Sequence, residues 1–128
     1  MMAGENILVV DDEVIIGTGF DRSLVKKGYH VDSVLSGEEA LVAVRKKKYD
    51  IVFIDKIMPG MDGVETCREV KKLSPESVCI FMTGLFDKDN ILKEMAFVDA
   101  GGRTYYLYKP FSEGEIEAVI KMVINEKS

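Results

Sequence analysis

Four places along the chain put polar side chains directly at the end of an apolar run. Asp11 and Asp12 follow Ile7-Leu8-Val9-Val10, Asp55 closes Ile51-Val52-Phe53-Ile54, Thr83 follows Val78-Cys79-Ile80-Phe81-Met82, and Lys109 follows Tyr105-Tyr106-Leu107-Tyr108. If these runs are parallel strands, their ends line one rim, where an open sheet binds ligands at the reversal of strand order. Three carboxylates, a hydroxyl and an ammonium then share one pocket. Two carboxylates ~5 Å apart repel by about 3 kcal/mol at an effective dielectric of 20, so such a cluster raises a pKa or holds a cation. Oxygen donors without His or Cys select a hard ion, and Mg2+ keeps waters that phosphate oxygens replace. The ammonium pairs with a carboxylate in the empty state and with an added phosphoryl group afterwards. This combination suits phosphoryl transfer, which depends on positioning and charge neutralisation, with an aspartate able to act as nucleophile and form an acyl phosphate. Taken singly, the residues have plainer readings: Asp11 or Asp12 caps a helix, and Lys109 sits on the surface. An acid closing four apolar residues, as Asp55 does, needs a paired or metal-bound setting, and the set as a whole favours the pocket.

The elements that must position these groups follow from an alternation of short apolar runs and longer amphipathic stretches. The run Val31 to Leu35 completes five strand candidates, and at least three are apolar throughout, as expected for a parallel sheet covered on both faces. Helices are expected over 13–27, 37–47, 63–73, 87–98 and 112–125. Five strands and five helices in alternation make a doubly wound α/β domain with a five-stranded parallel sheet of order 2-1-3-4-5. Ser36-Gly37-Glu38-Glu39 and Asp62-Gly63-Val64-Glu65 carry a capping residue with an acid three positions on. Arg45-Lys46-Lys47-Lys48 closes the second helix, where positive charge favours the dipole, and reads as a solvated terminus. Ile16, Phe20 and Leu24 recur every four residues and should face the sheet. Gly17 and Gly19 each cost about 1 kcal/mol in a helix relative to Ala; fraying is the simpler reading, close approach of a neighbour the other.

Length and composition bound the function. The chain has 128 residues, 47% of them apolar, which suits one domain with a proper core. Acids exceed bases, 22 to 17, for a net charge of −5, a balance that disfavours direct nucleic-acid binding. Cys67 and Cys79 lack CxxC spacing and, with His30 the one histidine, make neither a disulfide framework nor a zinc site. No apolar run approaches membrane-spanning length and no signal peptide begins the chain, so a cytoplasmic protein is expected.

Leu8-Val9-Val10-Asp11-Asp12-Glu13, Asp55-Lys56-Ile57-Met58-Pro59-Gly60-Met61-Asp62-Gly63, Thr83-Gly84 and Tyr106-Leu107-Tyr108-Lys109-Pro110-Phe111 together resemble the receiver domain of two-component response regulators. The resemblance runs over essentially the whole chain and implies a flavodoxin-like (βα)5 fold, with residues 1–128 forming one receiver domain and its core at about 5–125. It implies phosphorylation of Asp55 by a phosphohistidine on a sensor kinase or histidine phosphotransfer protein. It also implies Mg2+ bound directly by Asp12, Asp55 and the Ile57 carbonyl, and through water by Asp11. Lys109 would pair with the phosphoryl group, Thr83 would move towards it, and Tyr106 would turn inward as the switch aromatic. The Lys109-Pro110 bond resembles one that the family usually holds cis. A module of this kind catalyses its own phosphorylation and dephosphorylation, turns over no separate substrate, and signals from the fourth helix and fifth strand to a downstream protein.

Several positions depart from the family pattern. Lys56 stands where an apolar residue is commoner and is expected to point to solvent. Ile57 and Leu85 replace groups that often orient the hydrolytic water, which implies a long-lived Asp55 phosphate. Thr83 and Lys109 are separated by 26 positions (109 − 83), about one helical turn more than usual, with the excess expected between Asp87 and Arg103 near Ala100-Gly101-Gly102. Leu85-Phe86 reads equally as an exposed patch or a core edge. His30 and the cysteines read as structural, and the methionines as packing apart from Met58 and Met61. Two alternatives stand beside the leading reading: a receiver-like scaffold that binds partners without phosphorylation, and a Mg2+-dependent aspartyl phosphatase. The latter needs a second acid two residues after the nucleophile, where Ile57 stands. Flavin binding lacks a phosphate-cradling loop after the first strand.

Overall fold

The computed structural model of the protein describes residues 4–56, 58–84, 90–102, 106–109 and 111–127. Strands β1 (Asn6–Val10), β2 (His30–Val34), β3 (Ile51–Asp55), β4 (Val78–Gly84) and β5 (Tyr106–Lys109) run parallel in the order β2-β1-β3-β4-β5. Helices α1 (Val14–Leu24), α2 (Gly37–Lys46), α3 (Gly63–Leu73), α4 (Asn90–Asp99) and α5 (Glu113–Lys127) alternate with them, so the doubly wound α/β arrangement read from the sequence is present.

Strands β1, β3 and β4 are apolar at successive positions because both faces are covered. Leu8, Val10, Val52, Ile54, Cys79 and Phe81 pack with Ala40, Val44, Val64, Cys67, Val70 and Phe97 of α2, α3 and α4. Their neighbours Ile7, Val9, Ile51, Phe53, Ile80 and Met82 meet Phe20 and Leu24 of α1 and Ile116, Val119 and Ile120 of α5 on the other face. The expected sheet-facing row of α1 is found there, with Ile16 half-buried beside the same core. Among the described residues, no helix is long and apolar enough to cross a membrane.

Helix ends follow local chemistry. Ser36 Oγ accepts from the Glu39 N–H at 3.1 Å, and Asp62 Oδ1 from the Glu65 N–H at 2.9 Å. Helix α1 is shorter than expected: it gives way after Leu24 to a tighter turn, Val25–Lys27, that closes on Gly28 at φ 93°. Helix α5 starts at Glu113 and runs to Lys127, two residues past its expected end. Helix α4 extends one residue beyond the expected 98, and 87–89 lie outside the described residues. It ends in a Schellman turn: the Gly102 N–H donates to Phe97 O and the Gly101 N–H to Val98 O, both at 2.9 Å, with Gly101 at φ 107°. Two contacts fix this end of α4. The Phe97 ring stacks on Phe81 of β4 at 4.3 Å, and Cys67 Sγ lies 3.8 Å from Ala100 O.

Fraying at Gly17 is not what occurs. Gly17 is buried within a continuous α1, and a Cβ built there would stand 2.8 Å from Ser33 Cβ on β2. The missing side chain lets the helix lie against the edge strand. Gly19 has nothing within 4 Å of the corresponding position.

Candidate functional site

Strand register brings the rim residues together. Val10 is level with Ile54, and Asp55 with Met82; Asp11 therefore leaves β1 beside the end of β3, and Thr83 stands one step beyond Asp55. Thr83 is level with Tyr108, and Gly84 with Lys109. Asp11, Asp55 and Thr83 are 2%, 7% and 1% exposed, whereas Asp12 is exposed.

Each element hands its residue to the pocket in a fixed way. The Asp11 N–H donates to Val34 O at 3.2 Å, and Asp11 Oδ1 accepts from the Glu13 N–H at 2.9 Å. One oxygen thus holds the turn into α1, whose N-cap is Glu13 with no side-chain capping bond, while Oδ2 faces the rim. Lys109 ends β5 and its Nζ lies 2.7 Å from Asp11 Oδ2, 3.1 Å from Asp55 Oδ1 and 3.4 Å from Glu13 Oε1. Its side chain is 20% exposed, so the surface reading of this lysine does not hold.

The electrostatics follow from that geometry. Burial pushes the Asp55 carboxyl up to about 6, helped by the charges of Asp11 and Asp12, while Lys109 works in the opposite direction. Burial also disfavours the Lys109 ammonium, but the hydrogen bond to Asp11 and the charges of Asp55 and Asp11 together outweigh it and raise its pKa. Asp11, Asp12 and Asp55 each offer an oxygen within 4.8 Å of the others. Asp11 Oδ2 is buried, with the Lys109 ammonium 2.7 Å away. A set of carboxylate oxygens around such an atom fits a hard divalent cation.

The turn after β3 is held through the backbone of Lys56, the residue following Asp55. The Lys56 N–H donates to Met82 O at 2.9 Å and its carbonyl accepts from the Gly63 N–H at 3.2 Å. A Cβ on Gly63 would sit 3.1 Å from the Asp55 carbonyl carbon, so this first residue of α3 has to be glycine for so close an approach. Glu38 Oε2 accepts from the Met61 N–H at 3.3 Å and ties the turn to α2.

Two expectations are corrected here. Lys56 does not point to solvent: it is 3% exposed, because β4 and the start of α3 wall in the residue that follows β3. Met58 is 5% exposed and packs in the core under α2 and α3, as Met82 does within its own layer, whereas Met95 and Met122, expected to pack, are 60% and 46% exposed. Among residues given no role from the sequence, Glu13 stands within reach of Lys109; its signal was the third acid in Asp11-Asp12-Glu13. His30 is exposed at the opposite end of the sheet, and Cys67 and Cys79 are buried. Tyr106 opens β5 level with Phe81, and its side chain lies outside the described residues, as do Ile57, Leu85-Phe86, Asp87, Arg103 and Pro110.

Comparison with known proteins agrees with this geometry. A family model described as the response regulator receiver domain matches residues 7–121. The chain is 36% identical over 123 residues to a probable transcriptional regulator, ycf27, of Porphyridium aerugineum, covering 96% of this chain and 49% of that one. It is 33% identical over 122 residues to the response regulator MprA of Mycobacterium sp. (strain KMS), covering 95% and 51%. The chain spans about half the length of the curated relatives it matches. Among solved structures, the chemotaxis protein CheY4 of Vibrio cholerae superposes with a TM-score of 0.82 at 26% identity, covering 94% of this chain and 99% of that one.

Proposed function

The chain belongs to the response regulator receiver domain family, and from that premise we propose that it is a phosphoaccepting switch whose acceptor is Asp55. The carrying observation is the Lys109 ammonium held between Asp11, at 2.7 Å, and Asp55, at 3.1 Å, beside three converging carboxylates. Mg2+ is the proposed cofactor, held by Asp12, Asp55 and the Ile57 carbonyl and through water by Asp11; when bound, it screens the carboxylates and neutralises an incoming phosphoryl group.

The donor is a phosphohistidine of a sensor kinase or phosphotransfer protein. An Asp55 oxygen attacks phosphorus, the P–O bond forms as the P–N bond breaks, and the imidazole leaves with the electron pair and takes up a proton. Asp55 can do this at neutral pH because a carboxyl pushed up to about 6 is still mostly ionised there. Lys109 then exchanges carboxylate for phosphoryl oxygen, Thr83 approaches the new group, and Tyr106 follows it inward. The surface of α4 and β5 changes and meets a downstream protein. Residues 1–128 act as one receiver unit with a core at about 5–125, work in the cytoplasm, and contact neither nucleic acid nor membrane directly. The reaction is self-catalysed, with no separate substrate turned over.

Incubation with Mg2+ and acetyl phosphate, followed by intact mass, tests this reading. The wild type is expected to gain one phosphoryl group and Asp55→Ala none. An equal gain by both moves the acceptor elsewhere, and no gain by either refutes phosphorylation from this donor class.

A further inference from the structure

Three carboxylates surround the Lys109 ammonium, and they differ in what else they do. The side chains of Asp11 and Asp55 are 1% and 10% exposed and belong to the proposed cation set. Glu13 is 61% exposed and lies outside that set, yet its Oε1 stands 3.4 Å from Lys109 Nζ. An ammonium has three N–H donors, and three carboxylates occupy its surroundings. Of the three, Glu13 is the one with no place in that set, so its contact with Lys109 is the one that a bound cation would leave untouched. The Glu13 backbone is itself fixed, because Asp11 Oδ1 accepts its N–H at 2.9 Å. The side chain also has somewhere to go: Glu13 borders a cleft of about 420 Å³ between α1 and the end of β2, together with Thr18, Asp21, Ser33 and Leu35.

We propose that Glu13 is a positioning residue that competes with the phosphoryl group for Lys109 and so sets the donor concentration at which Asp55 is modified. The inference rests on the phosphoacceptor reading above. An exposed ion pair is worth about 0–1 kcal/mol, so the competition is mild and reversible, as a gate requires. Glu13 touches neither phosphorus nor the attacking oxygen. Its effect is therefore on saturation by donor and not on the bond-making step.

The test is the rate of Asp55 phosphorylation against acetyl phosphate concentration at saturating Mg2+, for wild type, Glu13→Gln and Glu13→Asp. Glu13→Gln should lower the half-saturating concentration about threefold and leave the maximal rate within twofold. Glu13→Asp keeps the charge and shortens the reach by one methylene. It should behave like Glu13→Gln if contact with Lys109 is what matters; behaviour like the wild type assigns the effect to general negative charge and overturns the proposal. Unchanged saturation in Glu13→Gln also overturns it, with the phosphoacceptor reading intact because the wild type is still modified. If the wild type takes up no phosphate, that reading fails and this inference falls with it. A change confined to maximal rate counts against the proposal too, since a positioning role through Lys109 acts on donor capture.

Discussion

Asp55 carries a cost that only a cation or a proton relieves. Its carboxyl, ordinarily near 3.8, is pushed up to about 6 in the folded protein by burial and by Asp11 and Asp12. Below the unfolded value both states are protonated and nothing is lost. As pH rises through 4 to 6 the unfolded chain gives up its proton first, and above about 6 the folded state bears the full penalty. Asp55→Asn should therefore stabilise the metal-free protein at pH 7, by about 1–2 kcal/mol out of a ceiling of 1.36 kcal/mol per pKa unit, with the gain fading by pH 4. Urea midpoints at the two pH values check this, and equal midpoints at pH 7 would refute it. Added Mg2+ should raise the wild-type midpoint and leave the variant unmoved. The chemistry at this scale was readable because each group ends an apolar run, and parallel register carries such ends to one rim. Lys56 and Glu13 were not readable in the same way. Whether a charged side chain in a turn is enclosed or reaches a neighbour depends on what folds back over it, here Gly63 in one case and Lys109 in the other.

The two glycines of α1 separate intrinsic helix preference from packing. Gly→Ala in a helix gains up to about 1 kcal/mol where space is open. Gly19→Ala meets nothing within 4 Å and should show that gain. Gly17→Ala drives a methyl against Ser33 and should instead cost about 1–3 kcal/mol, as overpacking does. Thermal melts of the pair should move in opposite directions, and a shared upward shift would mean that α1 can slide off β2 without cost. The sequence shows two glycines in one helix and nothing to tell them apart, since the difference comes from the strand lying underneath. Caps were easier: Ser36 and Asp62 bond to N–H groups three residues on, a local contact set by spacing. The end of α1 was not, because Val25, Lys26 and Lys27 continue the helical pattern and only Gly28 at φ 93° closes the turn.

In the molecule as a whole, one sheet separates two apolar layers, and the acidic rim lies at the C-terminal ends of its strands. That much is written in the runs of β1, β3 and β4, which are apolar at every position. The residues 85–89 and 103–105 flanking α4 lie outside the described part. Phe97 is fully buried, and Phe97→Ala should cost about 3–5 kcal/mol by the cavity it leaves. Denaturant unfolding reads the loss, and a change under 1 kcal/mol would show that the stack on Phe81 does not hold α4. That stack has a mechanical consequence. Phe81 is two residues ahead of Thr83 on the same strand, and α4 is clamped near its C-terminal end by Phe97 and the Schellman turn. From Phe97 back to Asn90 is roughly 10 Å at 1.5 Å per residue, so a tilt of about 10° at the clamp swings the far tip by roughly 2 Å. By that geometry a small change of angle where the two rings meet becomes a larger displacement at the N-terminal end of α4.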